Sequence, residues 1–223
     1  TYTQRAQARP RLRIAVVTMG VKLGDETRGY TRFRVLSEML VEQGFDVDLI
    51  TSSFQHWEKA QRDTSKACYQ DLPYNVVFID EPGYTRNLDL QRIRSHRVAA
   101  KNLRERFERT AGRYSLIYSE IPPNDVARVC AEYASEHNIP YVADINDLWP
   151  EAMRMVVNIP VLSDVAFYPF ARDAKRVYQL LSGAVGTSEE YAARPAKDRT
   201  APYPRATVYV GNDLAAFDEG ARE

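Results

Sequence analysis

Residues 138–151 read Asn-Ile-Pro-Tyr-Val-Ala-Asp-Ile-Asn-Asp-Leu-Trp-Pro-Glu, and the reading of this stretch decides the fold. Tyr141 to Ile145 is short and nearly apolar, as suits a strand buried on both faces of a parallel sheet. It carries Asp144 and gives way at once to Asn146 and Asp147. Trp149-Pro150-Glu151 then reads as the first turn of a helix. A proline is tolerated there because its missing amide would have no intrahelical partner. Polar side chains at the carboxyl end of a strand stand where open α/β sheets bind their ligands. Asp147 is open to two readings, a helix cap or a ligand-facing acid, and Trp149 to packing or recognition.

Working outward, strands and helices alternate. Leu12 to Thr18 is the first strand. The loop after it, Met19-Gly20-Val21-Lys22-Leu23-Gly24, lacks both GxGxxG and GK[ST], so neither a dinucleotide nor a Walker-type phosphate site is signalled. That argues against an oxidoreductase or epimerase. Gly20 and Gly24 still leave room for backbone amides to approach an anion. A helix is expected over 28–43, with Phe33, Leu36, Met39 and Leu40 on one stripe and Gly44 as its stop. Arg28, Arg32 and Arg34 fall in its first turns, against the helix dipole. They are either solvated charge or the receivers of an anionic ligand above the loop.

Further strands are expected at 47–51, 75–80, 115–119, 183–187 and 207–210. The aperiodic stretch 52–74 reads as a long excursion, with a lid as its functional reading. A long helix over 88–110 turns Leu90, Ile93, Ala100, Leu103 and Phe107 inward. Residues 86–113 hold nine Lys/Arg against three Asp/Glu. That basic face is either solvated or a contact for anionic lipid. Asn124 is the expected cap of a helix over 125–137, a helix over 163–181 is expected to break near Pro169, and 194–205 reads as a loop. The fold class is α/β: a Rossmann-like, mostly parallel sheet of about seven strands with helices on both faces. Its polar strand ends, at Gly20, Glu120, Asp144 to Asp147, Ser188 and Asn212, gather on one rim.

Composition narrows the function classes. The chain has 223 residues, 44% of them hydrophobic, enough for a full core. Lys plus Arg and Asp plus Glu both number 30, so no global field favours nucleic acid. Two cysteines, Cys68 and Cys130, without a CxxC fit a reducing, cytoplasmic setting. His56, His96 and His137 are scattered, and no metal site is expected. Residues 1–11 are expected to be a disordered tail.

Four segments carry a family resemblance. Arg32-Phe-Arg-Val-Leu-Ser-Glu-Met-Leu leading to Gly44-Phe-Asp-Val-Asp-Leu-Ile-Thr51, together with Gly20, resembles the opening of bacterial family 4 glycosyltransferases. Asp144-Ile-Asn-Asp-Leu-Trp-Pro-Glu151 is similar to a segment of their polysaccharide-building members. Gly186-Thr-Ser-Glu189 and Tyr209-Val-Gly-Asn-Asp213 resemble the segments that precede the crossover between domains.

The resemblance implies one half of a GT-B fold: residues 12–213 as the acceptor-side domain and 214–223 as the start of the crossover to a second domain. It implies a retaining transferase for surface polysaccharide or glycolipid, with no cofactor and a nucleotide sugar held mainly by that second domain. The half alone is expected to be inactive. Its partners would be a sugar or lipid-linked sugar acceptor, its own C-terminal domain, and anionic membrane at the inner face. Asp144, Asn146 and Asp147 are the implied catalytic residues. Gly20, Val21, Lys22, Arg28, Arg32, Glu120, Trp149, Glu151, Ser188 and Asn212 are the implied substrate contacts. Asn146 stands where many relatives carry histidine, and asparagine does not titrate near neutral pH. A base role there passes to Asp144, to Asp147 or to the substrate's own diphosphate. A stand-alone, non-catalytic binding module of the same fold is the alternative.

Overall fold

The computed structural model describes residues 11–211 apart from Asp25, Leu88 and 157–161. Asn212, the 214–223 crossover and residues 1–10 of the expected tail lie outside the described residues.

Six expected strands form in place, β1 (Arg13–Val17), β2 (Asp46–Ser52), β5 (Asn75–Ile79), β6 (Leu116–Ile121), β7 (Tyr141–Ile145) and β8 (Gly183–Gly186), while the seventh, β9 (Arg205–Thr207), shares only Thr207 with the expected 207–210. They make one parallel sheet in the order β5-β2-β1-β6-β7-β8-β9. The chain walks outward from β1 to β5, then returns to β6 and walks the other way. The order therefore reverses between β1 and β6, which is where a doubly wound sheet opens a crevice.

The strands alternate between two buried faces. Ala15 and Val17 of β1 join one core with Phe107, Val126 and Val177, while Ile14 and Val16 join the other with Phe33, Leu49 and Tyr69. The helices supply those faces: α1 (Arg32–Glu42), α2 (Leu90–Arg109), α3 (Asn124–Glu136), α4 (Glu151–Val156), α5 (Leu162–Leu180) and α6 (Glu189–Ala193). Gly44 ends α1 as expected. At φ +89° it lets its own amide reach the Val41 carbonyl at 2.9 Å and the Phe45 amide reach Leu40 at 3.1 Å.

Several expectations need correction. The first helix starts at Arg32, because the chain before it pairs with the loop after β1: Lys22 N donates to Tyr30 O at 2.9 Å. Arg28 is thus outside the helix. The excursion 52–74 is structured. It forms an antiparallel ribbon, β3 (Phe54–Gln55) with β4 (Ala60–Gln61), and a 3-10 turn at Ala67–Tyr69. Arg62 pins this ribbon: it pairs with Glu26, and its Nη1 and Nη2 donate to the Ser52 and Val21 carbonyls at 2.6 and 2.7 Å.

Leu90 points outward at 81% exposure, since the first turn of α2 projects past the core. Pro123 caps α3, and the Asn124 amide instead donates to the Trp149 and Phe170 carbonyls at 3.1 and 3.0 Å. Helix α5 runs through Pro169 without a break. A 3-10 turn, Arg194–Lys197, stands in the expected loop. The last strand ends at Thr207, beyond which the Val208 carbonyl accepts Arg32 Nη1 at 2.8 Å.

Candidate functional site

A cleft of about 500 Å³ opens at the carboxyl edge of the sheet, above the point where strand order reverses. Met19 and Gly20 reach it from β1, Glu120 from β6, and Asn146, Asp147 and Trp149 from β7. The β3–β4 ribbon adds His56 and Trp57, and the start of α2 adds Arg92 and His96.

Glu120 forms the floor. It is 8% exposed, and its Oε2 accepts the Thr18 hydroxyl at 2.6 Å. Burial pushes its carboxyl up to about 7, the Asp144 charge adds to that, and the Thr18 hydrogen bond opposes it. Glu120 and Asp144 are register partners on neighbouring strands. Beside them Asn146 donates its backbone amide to Ile121 O at 3.0 Å, while its buried Oδ1 has no partner among the described residues.

The walls are aromatic. Tyr30 meets Trp57 edge to face at 4.9 Å, and Trp57 Nε1 donates to Gly20 O at 3.2 Å. Trp149 stands opposite, its Nε1 bonded to Asp147 Oδ2 at 3.1 Å. Asp147 Oδ1 accepts the Leu148 amide at 2.8 Å, so this acid both turns the backbone and fixes a ring on the cleft wall.

Of the residues singled out in the sequence, Gly20, Arg32, Glu120, Asn146, Asp147 and Trp149 come together here. Asp144 lies beneath the cleft at 0% exposure. Arg32 Nε and Nη2 donate to it at 2.8 and 3.1 Å, and the Tyr118 hydroxyl at 2.7 Å. The acid that meets Arg32 is therefore the protein's own. Val21 is buried, and Glu151 pairs with Arg194 at 2.8 Å outside the cleft. Ser188 caps α6, accepting the Tyr191 amide at 3.2 Å. Lys22 and Arg28 are likewise not among its walls. The Gly20, Lys22 and Leu23 amides are engaged by Thr18 Oγ1, Tyr30 O and Glu26 Oε2.

Sequence reasoning missed Tyr30, His56, Trp57, Tyr84, Arg92 and His96, all on the cleft walls. One signal was present. The chain has two tryptophans, and one of them follows a histidine inside an aperiodic polar stretch. Among the described residues no group of three or more His, Cys, Asp or Glu is placed to hold a metal ion.

The fold has solved counterparts. Over 94% of its length the chain matches 96% of a truncated sucrose-phosphate synthase chain from Thermosynechococcus elongatus, at 12% identity and a TM-score of 0.58. Against a longer chain of the same synthase the figures are 92%, 49%, 15% and 0.61. Against Arabidopsis thaliana UGT89C1 complexed with quercetin they are 94%, 55%, 10% and 0.55. The chain spans about half the length of the longer structures it matches. At such identities the likeness is one of fold: the sheet and its helices match one half of the GT-B architecture. No family model and no curated protein matches the chain.

Proposed function

We propose that this chain is the acceptor-binding half of a retaining, nucleotide-sugar-dependent glycosyltransferase that builds surface polysaccharide or glycolipid. The observation that carries the reading is a carboxyl group poised near neutrality on the floor of an aromatic-walled cleft at the sheet's reversal point. Rings such as Tyr30, Trp57 and Trp149 offer flat apolar surface to the CH faces of a sugar, and a few convergent polar groups fix its orientation.

The acceptor hydroxyl must lose a proton as the new glycosidic bond forms. Glu120 is the group suited to take it, since a base works best with a pKa near the working pH. The unpartnered Asn146 Oδ1 offers an acceptor to a second hydroxyl. Asp147 contributes negative charge beside a sugar carbon of oxocarbenium character. Asp144 holds Arg32 in place at the cleft wall. The donor nucleotide falls to a second domain across the cleft, and the half alone is inactive because one wall neither excludes water nor fixes two substrates.

The test is transfer by the two-domain chain carrying Glu120→Gln or Asn146→Ala. Glu120→Gln is expected to lower kcat by about two orders of magnitude and to remove the acid limb near pH 7. An unchanged kcat and pH profile would remove Glu120 from the chemistry. Saccharide binding without any transfer by the two-domain chain would favour the non-catalytic binding module.

A further inference from the structure

The cleft has a second end, built around residues to which the transfer chemistry gives no role. Its hub is Tyr84. Lys59 Nζ lies 4.8 Å from that ring's centroid and the Arg92 guanidinium 5.4 Å. The His56 and His96 rings stand at 5.7 and 5.6 Å. Arg92 also lies 4.7 Å over Trp149.

These cations lack acids. Among the described residues, neither Lys59 nor Arg92 has an ion pair. Three other part-buried arginines do have one: Arg32 with Asp144, Arg62 with Glu26, and Arg194 with Glu151 and Asp198. Arg92 gives its Nη1 to Asn87 O at 2.9 Å and is hydrogen-bonded to the Tyr84 hydroxyl, but among the described residues its buried Nε has no partner. His96 is 5% exposed and makes no hydrogen bond among the described residues. Two carboxylates reach Arg92 electrostatically, Asp147 and Glu81. Asp147 is already bonded to Leu148 and Trp149, and Glu81 is buried against the Ser95 hydroxyl. Arg92 also sits in the first turn of α2, where the helix's own partial charge is positive. A desolvated cation in that place is costly unless an anion arrives from outside.

We propose that Arg92, Lys59, His56 and His96 form a subsite for an oxyanion, a phosphate or carboxylate carried by the acceptor, whose apolar body rests on Trp149 and Tyr84. The proposal rests on the reading of this cleft as the acceptor site. The buried Arg92 Nε–H and the imidazole N–H groups are donors whose hydrogen bonds an oxyanion accepts. Burial and the neighbouring cations keep both imidazoles neutral at pH 7, so the net charge offered is that of Arg92 and Lys59.

Both tryptophans of the chain, Trp57 and Trp149, line this cleft, so intrinsic fluorescence reports its occupancy. Titration with glucose 6-phosphate, glucuronate and methyl glucoside tests the subsite. At least one charged sugar is expected to bind about tenfold more tightly than the neutral one, with salt reducing the gap. The better of the two charged probes identifies the oxyanion. Arg92→Gln is expected to erase most of the preference without lowering the melting temperature, because it removes an unpaired buried cation. Lys59→Gln is expected to reduce the preference by a smaller factor, and Arg172→Gln, in a separate groove, to leave it intact. Equal affinity for charged and neutral sugars would overturn the subsite and leave the acceptor reading standing. A preference that survives both Arg92→Gln and Lys59→Gln would also overturn it. If no sugar and no lipid-linked acceptor perturbs the tryptophans, subsite and acceptor reading fall together.

Discussion

Arg32 reaches Asp144 across 112 positions of sequence and closes on it with two hydrogen bonds, at 2.8 and 3.1 Å. The acid is fully buried, and the arginine's remaining amino group holds the Val208 carbonyl. One pair thus ties the start of α1 to β7 and to the chain after β9. Removing one partner of a buried pair leaves the other uncompensated. Asp144→Asn is therefore expected to cost about 3 kcal/mol of stability. A double-mutant cycle with Arg32→Gln is expected to give a coupling of about 1 to 3 kcal/mol in urea denaturation. Additive costs would mean the pair does not act as a unit.

Glu120 predicts an unusual pH dependence. Burial raises its folded pKa to about 7, above the unfolded carboxylate value. The folded state then holds a proton that the unfolded state releases, so stability falls as pH rises from about 4.5 to 7. Glu120→Gln removes this slope. The stability of wild type relative to the variant is expected to drop by about 3 kcal/mol over that window, counting about 1.4 kcal/mol per pH unit. Asp125, also raised by burial, to about 6, is common to both proteins and cancels in the difference. Denaturation series at pH 5 and 8 check the sign.

Two glycines predict opposite outcomes. A Cβ on Gly186 would lie 2.3 Å from the Ala192 amide nitrogen, backbone that has little room to retreat. Gly186→Ala is expected to destabilise by about 2 kcal/mol or more. A Cβ on Gly20 meets nothing nearer than 4.0 Å, so Gly20→Ala is expected to melt like wild type. Any loss it causes in saccharide affinity would mark close approach of the ligand to that loop.

Helix α2 is expected to bind anionic vesicles weakly. Arg94, Arg97 and Arg109 are exposed on it, whereas Arg104 is neutralised by Glu108 and Glu136 and Lys101 by Glu105. Sedimentation with anionic vesicles should therefore lose its signal above about 0.15 M salt. Equal binding to neutral vesicles would leave the helix with a merely solvated face.

The first six strands of the sheet were legible because each is a short, mostly apolar run, and a doubly buried strand such as Ile14-Ala15-Val16-Val17 has few other readings; exposed β9, Arg-Ala-Thr, has no such run and lies ahead of the expected 207–210. The Gly44 stop was legible because a glycine, having no Cβ, takes the positive φ that ends a helix. Element ends were less so. Asn124 looks like a cap in sequence, but its amide turns to the Trp149 and Phe170 carbonyls, contacts that only tertiary packing creates. The rim of polar strand ends was readable from β6 and β7, giving Glu120, Asn146 and Asp147. The opposite wall was not. His56 and Trp57 come from a two-strand ribbon too short to leave a period, and Arg92 looked like one more charge on a basic helix. Its burial under Trp149 depends on a contact 57 positions away, which no local pattern encodes.

The central claim is that this chain holds an acceptor and not a donor. Calorimetric titration of residues 1–223 with uridine and guanosine sugar nucleotides, beside saccharide and lipid-linked acceptors, tests it most directly. The account predicts a cooperative melt, measurable acceptor binding, no sugar-nucleotide binding tighter than about 1 mM (~4 kcal/mol) and no transfer. Micromolar binding of a sugar nucleotide, or transfer by this chain alone, would contradict it.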